Sequence, residues 1–246
     1  MDFMAQQAMR HFGNSLMGAV IEKSPTAVGK CINRIPSSER VARLNETDPV
    51  CGVTPLMAAV LRCDKHAFRI AKLLMEHKAS IDKCDSGPGA YPLFMAAQED
   101  KIEMLKMLLD QKACMTRRVG GSTTPLYVAT QNGHPETVAM LCNYGAACGV
   151  LEEMIDCPNK AGKTPLHMAV EMASSECAGV LIRAGADVRR ASPVFYSQRN
   201  PAQRACSLSA VETLLQVCVQ MSICLSTHRF AVCEISAVSR TDSFLS

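Results

Sequence analysis

Apolar residues in this chain recur at helical spacing, in pairs of short segments separated by polar turns. The first segment of each pair is rich in small residues: Ala58-Ala59, Ala96-Ala97, Ala129 and Ala169. The second carries adjacent large apolar residues, Leu73-Leu74, Leu108-Leu109, Met140-Leu141 and Val180-Leu181. Small residues on one helix and Leu or Met on the next let neighbouring pairs approach closely, so the pattern predicts stacked helix pairs.

Each first segment opens on one phrase: Thr54-Pro55-Leu56-Met57, Tyr91-Pro92-Leu93-Phe94, Thr124-Pro125-Leu126-Tyr127 and Thr164-Pro165-Leu166-His167. Thr before a helix accepts a bond from an orphaned backbone N–H. Pro at the first helical position has its fixed φ and missing donor where neither costs anything. The prolines lie 37, 33 and 40 residues apart, a recurrence that marks a repeat array. With Asn132-Gly133-His134 between its helices, the best-formed unit resembles the ankyrin repeat, whose opening reads T-P-L-H-x-A. The closing phrases Asn143-Tyr144-Gly145-Ala146 and Ala184-Gly185-Ala186-Asp187 are similar to that family's helix ends, with Gly145 and Gly185 expected in the left-handed C-cap conformation. Lys78 and Lys112 stand at the same place in two other units, where a non-glycine residue is conformationally costly.

The resemblance implies an all-α ankyrin solenoid of helix-turn-helix units with short β-hairpin loops. A repeat domain is expected over residues 1–190, with a degenerate cap unit at about 14–45 and units starting near 52, 89, 122 and 162. The cap pair is read from Ser15-Leu16-Met17-Gly18-Ala19-Val20 and Val28-Gly29-Lys30-Cys31-Ile32. Surplus residues in the 54–78 unit fall in the turn Arg62 to His66 and at Glu76-His77. Those around Gly149 to Ile155 are expected to enlarge the finger before the last unit.

Past Asp187 the register fails. Residues 191–246 are a non-repeat segment in which Asn200-Pro201 starts an expected cap helix over 201–224, followed by a disordered end. The stretch is long enough for a membrane anchor, but Glu212, Gln216 and Gln220 oppose that reading, and no membrane association is expected.

Composition narrows the class. Thirteen cysteines without a C-x-x-C pair argue against a disulfide framework and against structural zinc, and favour a cytoplasmic or nuclear protein. A net charge of +3 over 246 residues gives no footprint for nucleic acid. No nucleophile elbow or phosphate-cradling loop occurs. Gly120-Gly121 reads as a hairpin tip, and Glu152-Glu153 as solvated neighbours. The chain is therefore expected to be no enzyme, to need no cofactor or metal, and to act as a monomeric array.

The resemblance also implies a concave binding face made by the first helices and the fingers. Carried onto this sequence, the helices offer Arg62, Gln98, Glu99, Asp100, Gln131, Asn132 and Glu171, and the fingers offer Asp85, Arg117, Arg118 and Lys160. Arg117 and Arg118 are expected at one finger tip, facing Glu99 and Asp100. Met57, Phe94 and Tyr127 replace the family's His in three units. They either pack between helices or form an apolar stripe with Phe94 and Tyr127 as anchors. The function implied is an adaptor binding one protein partner. The alternative is a substrate-recognition subunit of a ubiquitin ligase, which calls for a Pro-rich docking segment that residues 206–246, having no proline, do not contain.

Overall fold

The structure is a computed structural model and describes residues 16–22, 24–49 and 51–188. Twelve helices follow one another among the described residues. They are α1 (Leu16–Glu22), α2 (Pro25–Arg34), α3 (Ser37–Leu44), α4 (Pro55–Leu61), α5 (Ala67–Glu76), α6 (Pro92–Gln98) and α7 (Ile102–Asp110). After them come α8 (Pro125–Gln131), α9 (Pro135–Cys148), α10 (Leu151–Ile155), α11 (Pro165–Glu171) and α12 (Ser175–Arg183).

The predicted starts are formed as the residue chemistry requires. Thr54, Thr124 and Thr164 accept from the N–H of Met57, Tyr127 and His167 at 3.3, 3.2 and 3.4 Å. His167 answers with Nδ1 as acceptor for the Thr164 N–H at 3.1 Å, and Met57 offers its sulfur to the Thr54 N–H at 3.3 Å. Tyr91 makes no side-chain cap; its buried ring instead sends the hydroxyl to the Arg117 carbonyl at 3.2 Å. Burial pushes that phenol's pKa well above its ordinary value, so it stays a donor.

First helices α1, α4, α6, α8 and α11 pack side by side in one row, with α2, α5, α7, α9 and α12 behind them. Ala59, Ala96, Ala97, Ala129 and Ala169 are fully buried in the first row, and Leu74, Leu105, Leu108, Leu141 and Leu181 fill the layer between rows. Each such Leu removes enough apolar area from water to stabilise the fold by about 1.5–3 kcal/mol. The core is therefore a continuous seam along the stack.

Fingers project between units. Each closes on one backbone pair: Asp48 N–H to Val53 O (2.9 Å), Asp85 to Ala90 (2.8 Å), Val119 to Thr123 (2.8 Å) and Asn159 to Lys163 (2.9 Å). Asp48, Asp85 and Asn159 also use their side-chain oxygens to accept turn N–H groups, so the first residue of the turn fixes the turn. Adjacent fingers are joined by Ser86 N–H to Gly52 O at 3.0 Å and Gly120 N–H to Pro88 O at 2.7 Å.

Three features differ from the sequence reading. Helix α3 was not foreseen: it is short and mostly polar, and with Leu44 as its one buried residue it lacks the apolar pairs that mark the other helices. Gly145 is not a C-cap, because α9 runs on through it to Cys148 and ends at Gly149, φ 72°. The surplus after Gly145 does not enlarge a finger. It extends α9 and folds back as α10, burying Met154 and Ile155, so the segment's apolar residues prefer the core to a solvated loop. The left-handed positions at Lys78 (φ 67°), Lys112 (φ 62°) and Gly185 (φ 97°) are as expected. The expected helix over 201–224 lies outside the described residues, as does the segment after it.

Candidate protein-interaction surface

The turns between paired helices place most of the expected binding residues at one end of the first-helix row. Gln98, Asp100, Gln131 and Asn132 are exposed there, and Glu99 is half-buried. Each turn also reaches its neighbour. Asn132 Nδ2 donates to the Gln98 carbonyl at 2.9 Å, His134 Nε2 meets the same oxygen at 3.1 Å, and Thr137 Oγ1 donates to Asp100 Oδ1 at 2.7 Å. Asp100 itself sits at φ 52°, the left-handed place that Gly133 fills one unit on. Thus Asn132 and Asp100 are tied to the stack through these bonds, whereas the Gln98 and Gln131 side chains stand in water.

Several expected residues are committed elsewhere. Tyr127 is 2% and Phe94 7% exposed, so the apolar stripe packs between helices and is not an outward anchor. The Tyr127 hydroxyl accepts from Asn159 Nδ2 at 2.8 Å, which fastens a finger to α8. Arg62 turns inward: Nη1 donates to the Val20 and Ile21 carbonyls of α1, and the guanidinium pairs with Asp64. That pairing holds the Asp64 carboxyl below its usual range. Glu171 pairs with Lys163 at 2.6 Å.

The charge arrangement expected at Arg117 and Arg118 is not formed. Arg117 lies 5.5 Å over the Tyr91 ring, and Nη1 donates to the Asp82 carbonyl and to Cys84 Sγ, the latter at 3.1 Å. A planar guanidinium can stack on an aromatic face and donate in its own plane at the same time, whereas a solvated ion pair contributes little. Arg118 stays exposed and reaches the next finger, donating to the Pro158 carbonyl at 3.3 Å. Asp85 is consumed by its own turn, its Oδ1 accepting from Gly87, Gly89 and Ala90. Lys160 remains exposed at the last finger tip.

Sequence reasoning missed two exposed apolar residues on this face, Leu61 (41%) and Met172 (55%), at the ends of α4 and α11. Their positions gave the signal, since Leu61 lies one residue and Met172 two residues past the buried run of its helix. It also missed a cleft of about 700 Å³ behind the stack, between α5 and α7, lined by Phe68, Met75, Met107, Lys72 and Lys106 among others. No helix among the described residues is long and apolar enough to cross a membrane.

A family model of ankyrin repeats in three copies matches residues 16–119 and 93–192. The chain is 30% identical over 135 residues to ankyrin repeat and KH domain-containing protein mask-1 of Caenorhabditis elegans, covering 55% of this chain and 5% of that one. It is 29% identical over 142 residues to mouse inversin, covering 57% and 12%, and 33% identical over 101 residues to human ankyrin repeat and SOCS box protein 16, covering 41% and 20%. The match therefore spans no more than a fifth of any of these three relatives. Repeated helix pairs, Thr-Pro caps, cross-braced fingers and the family match agree: the chain belongs to the ankyrin-repeat family, whose repeats are protein-interaction modules.

Proposed function

We propose that the chain is a non-enzymatic adaptor that binds a protein partner across the face made by its first helices and fingers. The observation that carries this is the division of labour within each unit. One side of every first helix is spent on the stack, while Gln98, Gln131, Leu61 and Met172 are held rigidly in water. Leu61, Gln98 and Gln131 hold the same place at the ends of successive first helices, and such a row on helices whose positions are fixed by neighbours is pre-organised for a polypeptide surface. The test is capture by the full chain, comparing the wild type with Gln98→Arg/Gln131→Arg and with Lys72→Glu/Lys106→Glu behind the stack. The adaptor reading expects the first pair to lose the captured protein and the second to keep it, with helical circular dichroism unchanged in both. Retention by the first pair moves the binding face elsewhere.

A second reading has one observation in its favour: the human relative carries a SOCS box in its name, and a rice relative, 32% identical over 107 residues, is named a probable E3 ubiquitin-protein ligase. For this chain that reading makes the captured protein a ligase substrate. Recovery of ligase subunits in the same capture decides for it.

A further inference from the structure

The fingers sort their charges. Every aspartate in them is used by the backbone: Asp48 accepts from Cys51 N–H at 2.8 Å, Asp82 from Cys114 at 2.9 Å, Asp85 from three turn amides, and Asp156 from Asp187 at 3.2 Å. Lys163 is paired with Glu171, and Glu46 at the base of the first finger with Arg43. What remains exposed on the last three fingers is cationic: Lys83, Arg118 and Lys160.

Two of these are brought together reciprocally. Arg118 reaches across to the Pro158 carbonyl, on the finger that bears Lys160. A Cβ placed on Gly121 would lie 3.7 Å from Lys160 Cε, so the lysine stem leans over the tip of the finger that bears Arg118. Neither cation pairs with a carboxylate among the described residues. The tips are open as well, since a Cβ at Gly120 or Gly162 would meet nothing within 4 Å. Two adjacent like charges at an uncovered place cost the fold a little repulsion, which a bound anion removes.

We propose that the paired tips of the last two fingers recognise an acidic segment of the partner protein, whose carboxylates lie against Arg118 and Lys160. This rests on the adaptor reading and specifies the chemistry of the partner. A phosphate is held best where several donors converge on one point, either backbone N–H groups or clustered guanidiniums. Here the Gly120, Ala161, Gly162 and Lys163 amides are already bonded within or between fingers, so the tips offer separate cations that suit separate carboxylates.

The experiment is fluorescence anisotropy of the full chain with a labelled peptide of alternating Glu and Gly, its Gln counterpart and its phosphoserine counterpart, at low and at physiological salt. The Glu peptide is expected to bind at least about tenfold more tightly than the Gln peptide. Arg118→Glu/Lys160→Glu should lose at least about tenfold, while Lys72→Glu/Lys106→Glu, which removes the same net charge behind the stack, should not. Equal loss by both pairs would assign the effect to net charge and overturn the site, as would binding of the phosphoserine peptide alone or no preference for Glu over Gln. A captured partner that is lost by Gln98→Arg/Gln131→Arg but held undiminished by Arg118→Glu/Lys160→Glu overturns the acidic-segment site and leaves the adaptor reading standing.

Discussion

A glycine inside a helix and a lysine in a left-handed turn each cost the fold something, for opposite reasons. Gly145 is helical and buried, and an added Cβ would touch Leu151 Cα and Met154 Sδ at 3.5 Å, ordinary contact distance. Gly145→Ala should therefore stabilise the chain by about 0.5–1 kcal/mol through lost backbone freedom in the unfolded state. A fall in the urea midpoint would mean that the added Cβ does not fit against Leu151 and Met154. Lys112, at φ 62°, has the converse problem, and Lys112→Gly should stabilise by up to about 1 kcal/mol despite the added flexibility. The thiols separate in the same local way. Burial pushes the Cys142 pKa up to about 11 and raises that of Cys177, whereas Cys63 and Cys148 are exposed. Brief iodoacetamide treatment at neutral pH, read by peptide mass mapping, should label Cys63 and Cys148 and spare Cys142 and Cys177.

At the scale of the element, the start of a helix is its most legible part. Thr124 is buried and fully committed to the Tyr127 N–H, so Thr124→Ala should lower stability by about 0.5–2 kcal/mol in a thermal melt, a range typical of lost caps. An unchanged melting temperature would show that Pro125 alone sets the helix. These starts were readable because cap chemistry is local. Helix ends were less so: Gly145 sits in a phrase that usually ends a helix, yet α9 continues through it with Leu151 and Met154 of α10 packed against it. Site residues were legible as positions but not as availabilities. The repeat register puts Arg62, Arg117 and Tyr127 on the right elements, yet whether each faces water depends on partners far along the chain: the α1 carbonyls, Tyr91 with Cys84, and Asn159. Nothing within one repeat encodes those partners. Arg118 and Lys160 were legible as exposed positions at glycine-rich tips, but the reach of Arg118 to the Pro158 carbonyl of the next finger was not.

Across the whole molecule the helix pairs touch chiefly their sequence neighbours, so stability is a chain of interfaces rather than one core. Leu141 sits at a junction of that chain. It is fully buried in α9, the helix that packs on α7, α8, α10 and α12 together. Leu141→Ala should cost about 2–5 kcal/mol, as a truncated Leu in a poorly collapsible site does. In an array, the loss should also weaken coupling between the units on either side, broadening the urea transition and letting amides of α11 and α12 exchange before those of α4 and α6. Glu99→Ala provides the comparison. Its half-buried side chain has one long contact, with Gln98 Nε2 at 3.5 Å, and its removal should stay within about 0.5 kcal/mol. If Leu141→Ala instead lowers the midpoint with no change in steepness, and amide exchange rises uniformly from α4 to α12, the stack unfolds as one cooperative body. The interfaces would then be strong enough that a partner bound at the last two fingers would stabilise the first units as much as the last.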